Sequence, residues 1–367
     1  MSLNALTRSN LPVRGRAACG DSATDLACSS FPRGPERGPA AFPHRVCHVG
    51  TYDALLVLSF GGPEGPDDVL PFLENVVRGR GVPRERLLEV AEHYHDFGGV
   101  SPINQQNRDL VEALRPVAGV PVYWGNRNWH PFGEDVVRQM QADGVRKAAV
   151  FATSAFAGYS SCRQYHEDIA RISVDGGPEL VKMRHFGDHP GFVAAMADHT
   201  RAALERLADR GCDDARLVFT AHSIPVSMAG TAGPSGGLYE AQLRRSAELV
   251  SQALGRTAPW DLVWQSRSGP PQVPWLEPDV CDFLRKTDAP AVVLVPIGFV
   301  SDHMEVIYDL DTEARQVADA LGLPMERAAT AGTHPRFVRM VCDLMDEPEP
   351  RPCPLTCCPP PRRSPQA

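Results

Sequence analysis

Two short stretches of this 367-residue chain combine side chains that hold metal ions and move protons. The first is GFVSDHMEVIYDLDTEA, residues 298–314, where Asp302, His303 and Glu305 follow directly on the apolar run AVVLVPI. The second is TAHSIP, where His222 follows the apolar run ARLVFT. Imidazole nitrogen with carboxylate oxygen suits borderline divalent cations such as Fe2+ or Zn2+ better than Ca2+. A histidine beside a carboxylate is also a proton acceptor near neutral pH. Taken singly, these residues have ordinary structural explanations: a hydrogen-bonded histidine at a strand end, or an acid in a helix's first turn, where the dipole favours it. Asp309, Asp311 and Glu313 read as the solvated face of one helix, EVIYDLDTEARQVADAL. The combination points to chemistry, because a His and a His-x-Glu leave two strands of one predicted sheet.

Thiols form another candidate group. Ten cysteines are too few and too scattered for a disulfide framework in a chain of this length. In a reducing compartment, clustered thiols more often mean metal. Four fall late: Cys342, then Cys353, Cys357 and Cys358 in CPLTCCPPP.

The elements that must position these residues are legible from about residue 52 onward. YDALLVLSF (52–60), VPVYWG (120–125) and KAAVFATSAF (147–156) read as buried strands, and ARLVFTAHS (215–223), DLVWQSRS (261–268) and AVVLVPIGF (291–299) repeat the scheme. Amphipathic segments such as PDDVLPFLENVV, GEDVVRQMQADG and LYEAQLRRSAELVSQALG lie between them. Strand–helix alternation implies parallel sheets covered by helices on both faces. The expected fold is therefore α/β, with two doubly wound Rossmann-like domains and a cleft between them. Residues 49–190 and 191–346 are the two domains, 1–48 a disordered extension, and 347–367 a Pro/Cys-rich tail that cannot continue a helix. Ligands of open parallel sheets bind beyond the carboxyl ends of the strands. His222, Glu305, the Phe60-Gly61-Gly62-Pro63 turn, Asn126-Arg127-Asn128 and Gln265-Ser266-Arg267 all fall there.

Composition excludes several classes. A net charge of −8 leaves no basic footprint for nucleic acid. No apolar run approaches the roughly 20 residues needed to span a bilayer, and no secretory h-region opens the chain. A cytoplasmic monomer is the expectation.

LLVLSFGGPEGP, FGGVSPIN, TAHSIP, WQSRSGPPQVPWLEPD and PIGFVSDHMEVIYDLD occur in that order between residues 52 and 346. Together they resemble the ferrochelatases, chiefly the actinobacterial branch that acts on coproporphyrin III. The resemblance implies a chelatase-type fold and a lyase of haem biosynthesis. Its substrates would be Fe2+ and coproporphyrin III, and its product coprohaem. Alternatives with the same cleft are a protoporphyrin IX or other tetrapyrrole chelatase and a non-catalytic porphyrin carrier. A carrier has no use for a proton acceptor opposite a metal ligand.

Carried over residue by residue, the resemblance makes His222 and Glu305 the catalytic pair that meets Fe2+ across the macrocycle. His303 becomes a relay or supporting residue. Ser101, Tyr94 and Tyr165 fall at porphyrin-contact positions. Phe60 stands where some relatives carry a tyrosine that ligates iron axially, and phenylalanine can only pack against the ring. Arg78 and Arg127 are candidates for pairing with propionates. The same resemblance implies a [2Fe–2S] cluster on Cys162, Cys353, Cys357 and Cys358, with Cys342 as a substitute ligand. Transient contact with other haem-pathway enzymes is the only macromolecular partnership implied.

Overall fold

The computed structural model describes residues 51–360 except Arg80, Pro270, Pro271, Pro352 and Leu355, so the expectation for residues 1–48 lies outside it. The first half runs β1 (Ala54–Ser59), α1 (Pro66–Val76), α2 (Arg84–His95), α3 (Ile103–Ala118), β2 (Val122–Asn126), α4 (Gly133–Ala142) and β3 (Lys147–Ala152). A π-helical turn, Tyr159–Arg163, then leads into α5 (Gln164–Ile172) and β4 (Glu179–Lys182). The second half runs α6 (Pro190–Ala208), β5 (Ala215–His222), α7 (Val226–Gly230), α8 (Leu238–Ala253), β6 (Asp261–Gln265), α9 (Val280–Lys286) and β7 (Ala291–Val295). It closes with α10 (Met304–Val306), a π-helix (Ile307–Ala314), α11 (Arg315–Ala320), β8 (Met325–Arg327) and α12 (Pro335–Asp346).

Two four-stranded sheets result, ordered β2-β1-β3-β4 and β6-β5-β7-β8, and every pairing is parallel. The six strands expected from apolar runs are all present. β1 and β7 are buried along their whole length, as an interior strand covered on both faces requires. Two strands were not expected, β4 and β8. Both are short sheet-edge strands that carry charge (ELVK and MER), so neither offers an apolar run to read.

The helix expected over residues 305–321 is present as one unbroken run of α10, the π-helix and α11, but its middle turns with a wider pitch, which rotates side chains off the face that a 3.6-residue period assigns.

Two helices share a start signal, and that signal sets the core. In DHPGF and THPRF, proline occupies the first helical position and the preceding histidine accepts from a backbone N–H with its Nδ1. The helices so begun, α6 and α12, bring Phe192 and Phe337 together with Phe151 of β3 and Phe186. This aromatic knot belongs to one apolar cluster that takes in residues of both sheets, including Leu55, Val57, Phe219 and Val293.

Candidate active site and a thiol-lined cavity

Parallel register places the chemistry. His222 ends β5 opposite Gln265, the last residue of β6. β7, the other neighbour of β5, ends at Val295, and the chain then turns back so that Gly298 N–H donates to Thr220 O at 3.1 Å. Glycine is required there. A Cβ on Gly298 would lie 2.7 Å from Ala221 Cβ and 2.8 Å from its Cα. That close approach delivers Asp302, His303 and Glu305 to the rim that carries His222. Gln265 holds the arrival point by donating from Nε2 to Glu305 O at 3.2 Å.

The two side chains meet: His222 Nε2 is 3.6 Å from Glu305 Oε1. On the other ring nitrogen, His222 Nδ1 is 2.5 Å from Ser223 O. A carbonyl can only accept, so Nδ1 carries a hydrogen and neutral His222 keeps its lone pair on Nε2, toward Glu305. Burial alone opposes an imidazolium, but the adjacent Glu305 carboxylate outweighs it and raises the His222 pKa above its ordinary value. Burial likewise opposes the Glu305 carboxylate, yet His222 beside it brings that group down to about 2. His303 Nδ1 lies 3.9 Å from Glu305 Oε2 and its ring meets Phe299 edge-on. Burial lowers the His303 pKa, so its imidazole stays neutral where His222 is readily charged.

Behind Glu305 the structure corrects the solvated-face reading. Asp309 is buried in the π-helix, accepts from Ser266 Oγ at 2.5 Å, and is pushed up to about 7 by burial, with Glu305 and Glu313 adding to the rise. Ser266 reaches it from a left-handed backbone, φ 62°, which a residue with a side chain adopts only under constraint. Asp311 pairs with Arg327, which also grips Asp302. Glu313 is half-buried. A repeat of acids along a helix gives no hint of this, because only the π-turn decides which of them faces inward.

The first half supplies the facing wall. Tyr94 of α2 lies close enough to Glu305 for that carboxylate, together with burial, to raise its phenol pKa. His93 and Phe97 meet Tyr308 of the π-helix edge-on. Phe60, 38 % exposed, Phe72, Tyr94 and Trp129 make a continuous aromatic surface of edge-to-face pairs. Ser101 and Tyr165 are each only 4 % exposed. Ser101 packs so tightly on Gly62 that a Cβ there would sit 2.7 Å from Ser101 Cβ. Tyr165 lies under the Arg127 guanidinium, which also stands over the Phe60 ring. Arg127 is half-buried and ion-paired with Asp168 at 2.9 Å. Arg78 is exposed and hydrogen-bonds to Asn75 Oδ1.

A second cavity, about 260 Å³, is lined by Cys162, Cys353, Cys357 and Cys358. All four thiols are free. Cys162 projects from the π-helical turn before α5. The adjacent cysteines of the tail reach the same cavity because Cys358 takes a left-handed backbone, φ 49°, and the Gly233 N–H donates to its Sγ at 3.1 Å. Cys357 Sγ and Cys358 Sγ are 3.8 Å apart. Burial raises the Cys162 thiol pKa and pushes that of Cys357 up to about 12. Cys342 is no substitute ligand: it is fully buried on α12, disulfide-bonded, and does not line this cavity. Among the described residues, no three His, Cys, Asp or Glu side chains are gathered tightly enough to hold a metal ion.

Residues 52–349 match the family model described as Ferrochelatase. The chain is 54% identical over 346 residues to the coproporphyrin III ferrochelatase of Frankia alni, covering 87% of this chain and 89% of that protein. It is 58% identical over 309 residues to the protein of the same name from Nocardia farcinica, covering 80% and 88%. Against the one from Streptomyces griseus it is 54% identical over 319 residues, covering 81% and 85%.

Proposed function

The chain belongs to the ferrochelatase family, and from that premise we propose that it inserts Fe2+ into coproporphyrin III and releases the two pyrrole protons to give coprohaem. One observation carries the reading: His222 Nε2 and Glu305 Oε1 stand 3.6 Å apart, with Tyr94 of the opposite wall within Glu305's field. Support for coproporphyrin III as substrate comes from the names of the curated relatives.

In this proposal His222 and Glu305 are the catalytic residues. Neutral His222 presents its Nε2 lone pair to a pyrrole N–H, takes the proton and passes it to water, and then does the same for the second N–H. Glu305, ionised throughout the neutral range, stabilises the positive charge that gathers as Fe2+ arrives. The imidazolium that forms faces this same carboxylate, which offsets its charge. His303, neutral and packed on Phe299, holds the second carboxylate oxygen in place. The aromatic surface of Phe60 and Tyr94 is the apolar wall a flat macrocycle requires. Buried Ser101 and Tyr165 support that wall from behind, and Arg78 remains available to a propionate where Arg127 is committed to Asp168.

The four cavity thiols match a [2Fe–2S] cluster in number and kind, since such a cluster takes four cysteine sulfurs, but the described residues do not gather three of them at metal-holding distance, so binding would require them to close in. With burial opposing free thiolates, a cluster's ferric charge is what would deprotonate them. When bound, the cluster supplies a one-electron redox centre, and no step of the insertion above passes through it. Residues 49–190 and 191–346 as separate domains, a cytoplasmic location, a monomeric state and transient contacts with other haem-pathway enzymes complete the proposal. Among the described residues no helix is long and apolar enough to cross a membrane.

The test is spectroscopic. Protein and Fe2+ are mixed without oxygen, coproporphyrin III and protoporphyrin IX are offered separately, and the visible bands are followed. Conversion of the coproporphyrin spectrum to that of its iron complex is expected. Conversion of protoporphyrin alone would refute the substrate assignment.

A further inference from the structure

We propose that Arg327 is a positioning residue for metal insertion: by clamping Asp302 and Asp311, which flank Glu305 in the chain, it holds that carboxylate against His222. The inference rests on the reading of His222 and Glu305 as the catalytic pair and goes beyond it by naming a residue that acts through their neighbours.

Arg327 ends β8, opposite Leu294 of β7. Because the pairing is parallel, it stands at the carboxyl rim to which β7 delivers Asp302, His303 and Glu305. Its guanidinium forks onto Asp311, with Nε 2.6 Å from Oδ1 and Nη2 2.8 Å from Oδ2. The same group reaches Asp302, with Nη1 3.2 Å from Oδ1 and Nη2 3.4 Å from Oδ2. The Arg327 and Asp302 side chains are 16 % and 19 % exposed, so salt and water screen their contact little. The anchor is itself braced. Arg206 Nη2 donates to the Arg327 carbonyl at 3.1 Å, and the next N–H, of Ala328, donates to Leu294 O at 2.9 Å.

Residues 302–313 carry five acids: Asp302, Glu305, Asp309, Asp311 and Glu313. Like charges so close repel, and the segment tends to open unless a cation joins its parts. Arg327 joins its beginning to its π-helical middle. Two other contacts hold the backbone there: Asp302 N–H donates to Gln106 Oε1 of α3 at 2.8 Å, and Gln265 Nε2 to Glu305 O at 3.2 Å. Neither fixes the pitch of the helix that follows, with which the Glu305 side chain must turn. Asp311 lies within the π-helix, and a return to the tighter α pitch would carry it away from Arg327. The clamp therefore favours the wide pitch at which Glu305 Oε1 stands 3.6 Å from His222 Nε2. A planar fork of five N–H donors can serve two carboxylates at once, which the compact ammonium of lysine does less well.

The experiment compares full-length wild type, Arg327→Lys and Arg327→Gln, each also in a Glu305→Gln background. Single-turnover insertion of Fe2+ into coproporphyrin III is followed by absorbance without oxygen, with enzyme in excess so that slow variants can be read. Porphyrin binding is measured separately, without metal, by fluorescence quenching. Arg327→Gln is expected to insert iron roughly a hundredfold more slowly, the cost of displacing a reacting group by about 1 Å, with a coproporphyrin Kd within about twofold of wild type. Arg327→Lys, which keeps the charge without the fork, should fall between the two. In the Glu305→Gln background there is no carboxylate to place, and Arg327→Gln should cost no more than about threefold, because effects that act through one group do not add. Near-normal insertion by Arg327→Gln would overturn the assignment. So would an equal loss in the Glu305→Gln background, or a porphyrin affinity that falls as far as the rate, since either would make Arg327 merely structural. If Arg327→Gln does not fold, Arg327→Lys carries the same cycle, with an expected loss of about tenfold. Wild-type protein that inserts no iron would instead remove the catalytic reading, and this inference with it.

Discussion

The His222–Glu305 cleft and the Cys162 cavity are both candidate metal sites, yet they are built on opposite principles. The cleft pair is self-compensating: imidazole and carboxylate each offset the other's burial, and the His222 pKa rises while that of Glu305 falls. Its frame is two parallel strand ends held by sheet register and by the close approach of Gly298 to Ala221. The thiol cavity is uncompensated. Burial opposes ionisation of Cys162 and Cys357, and two of its cysteines hang on a proline-bounded turn. A site that hosts metal in passing benefits from being complete beforehand, whereas a site that keeps its metal can leave the balance of charge to the guest.

Removing the proton acceptor should break this contrast most sharply. His222→Ala is expected to lower the insertion rate by roughly a hundred- to ten-thousand-fold, the usual range for general acid–base groups. Coproporphyrin binding and any iron–sulfur absorbance should persist. Stopped-flow absorbance and fluorescence quenching measure the two separately, and near-normal turnover would end the mechanism. On the other side, Cys358→Ser should abolish the iron–sulfur absorbance and leave porphyrin binding in place. Equal cluster iron and sulfide in that variant would take Cys358 out of the ligand set.

Glu305→Gln sharpens the comparison through pH. His222 must be neutral to accept a proton, so the rate should fall as pH drops through its raised pKa. With the carboxylate gone, burial, the largest influence on His222, lowers its pKa against only the smaller opposing effect of the Ser223 carbonyl. The acid limb of the rate profile should therefore move to lower pH, on a reduced plateau. An acid limb that does not move would show that His222 is not the titrating group.

The smallest effect is expected from Gly298→Ala. The added methyl meets Ala221, whose Cα would lie 2.8 Å away, and overpacking of this kind costs roughly 1–3 kcal/mol. Thermal melting should fall by several degrees and insertion should weaken, while any iron–sulfur absorbance is unchanged. A variant as stable and active as wild type would show that strand register alone positions Glu305.

Much of the cleft was legible because its signals are local and one-dimensional. Apolar runs with polar residues at their carboxyl ends identified β5 and β7, and the strand-end rule then put His222 and Glu305 on one rim. Asp309 and Ser266 escaped, because an acid's facing depends on whether a helix turns with an α or a π pitch, and nothing in IYDLDTEA declares which. Arg127 stood as a propionate candidate because its actual partner, Asp168, comes from a helix 41 residues further along the chain.

By itself, the sequence determined the period of the strands and helices, the parallel class of the sheets, and which residue types stand at strand ends, because these follow from short-range sterics and from the need to bury apolar faces. Only the tertiary structure decided which charges meet. It set His222 beside Glu305, turned Asp309 inward, and brought Cys162 to one cavity with three thiols from a tail nearly 200 residues away. The physical reason is that electrostatic energy depends on distance and burial in space, and separation along the chain constrains neither.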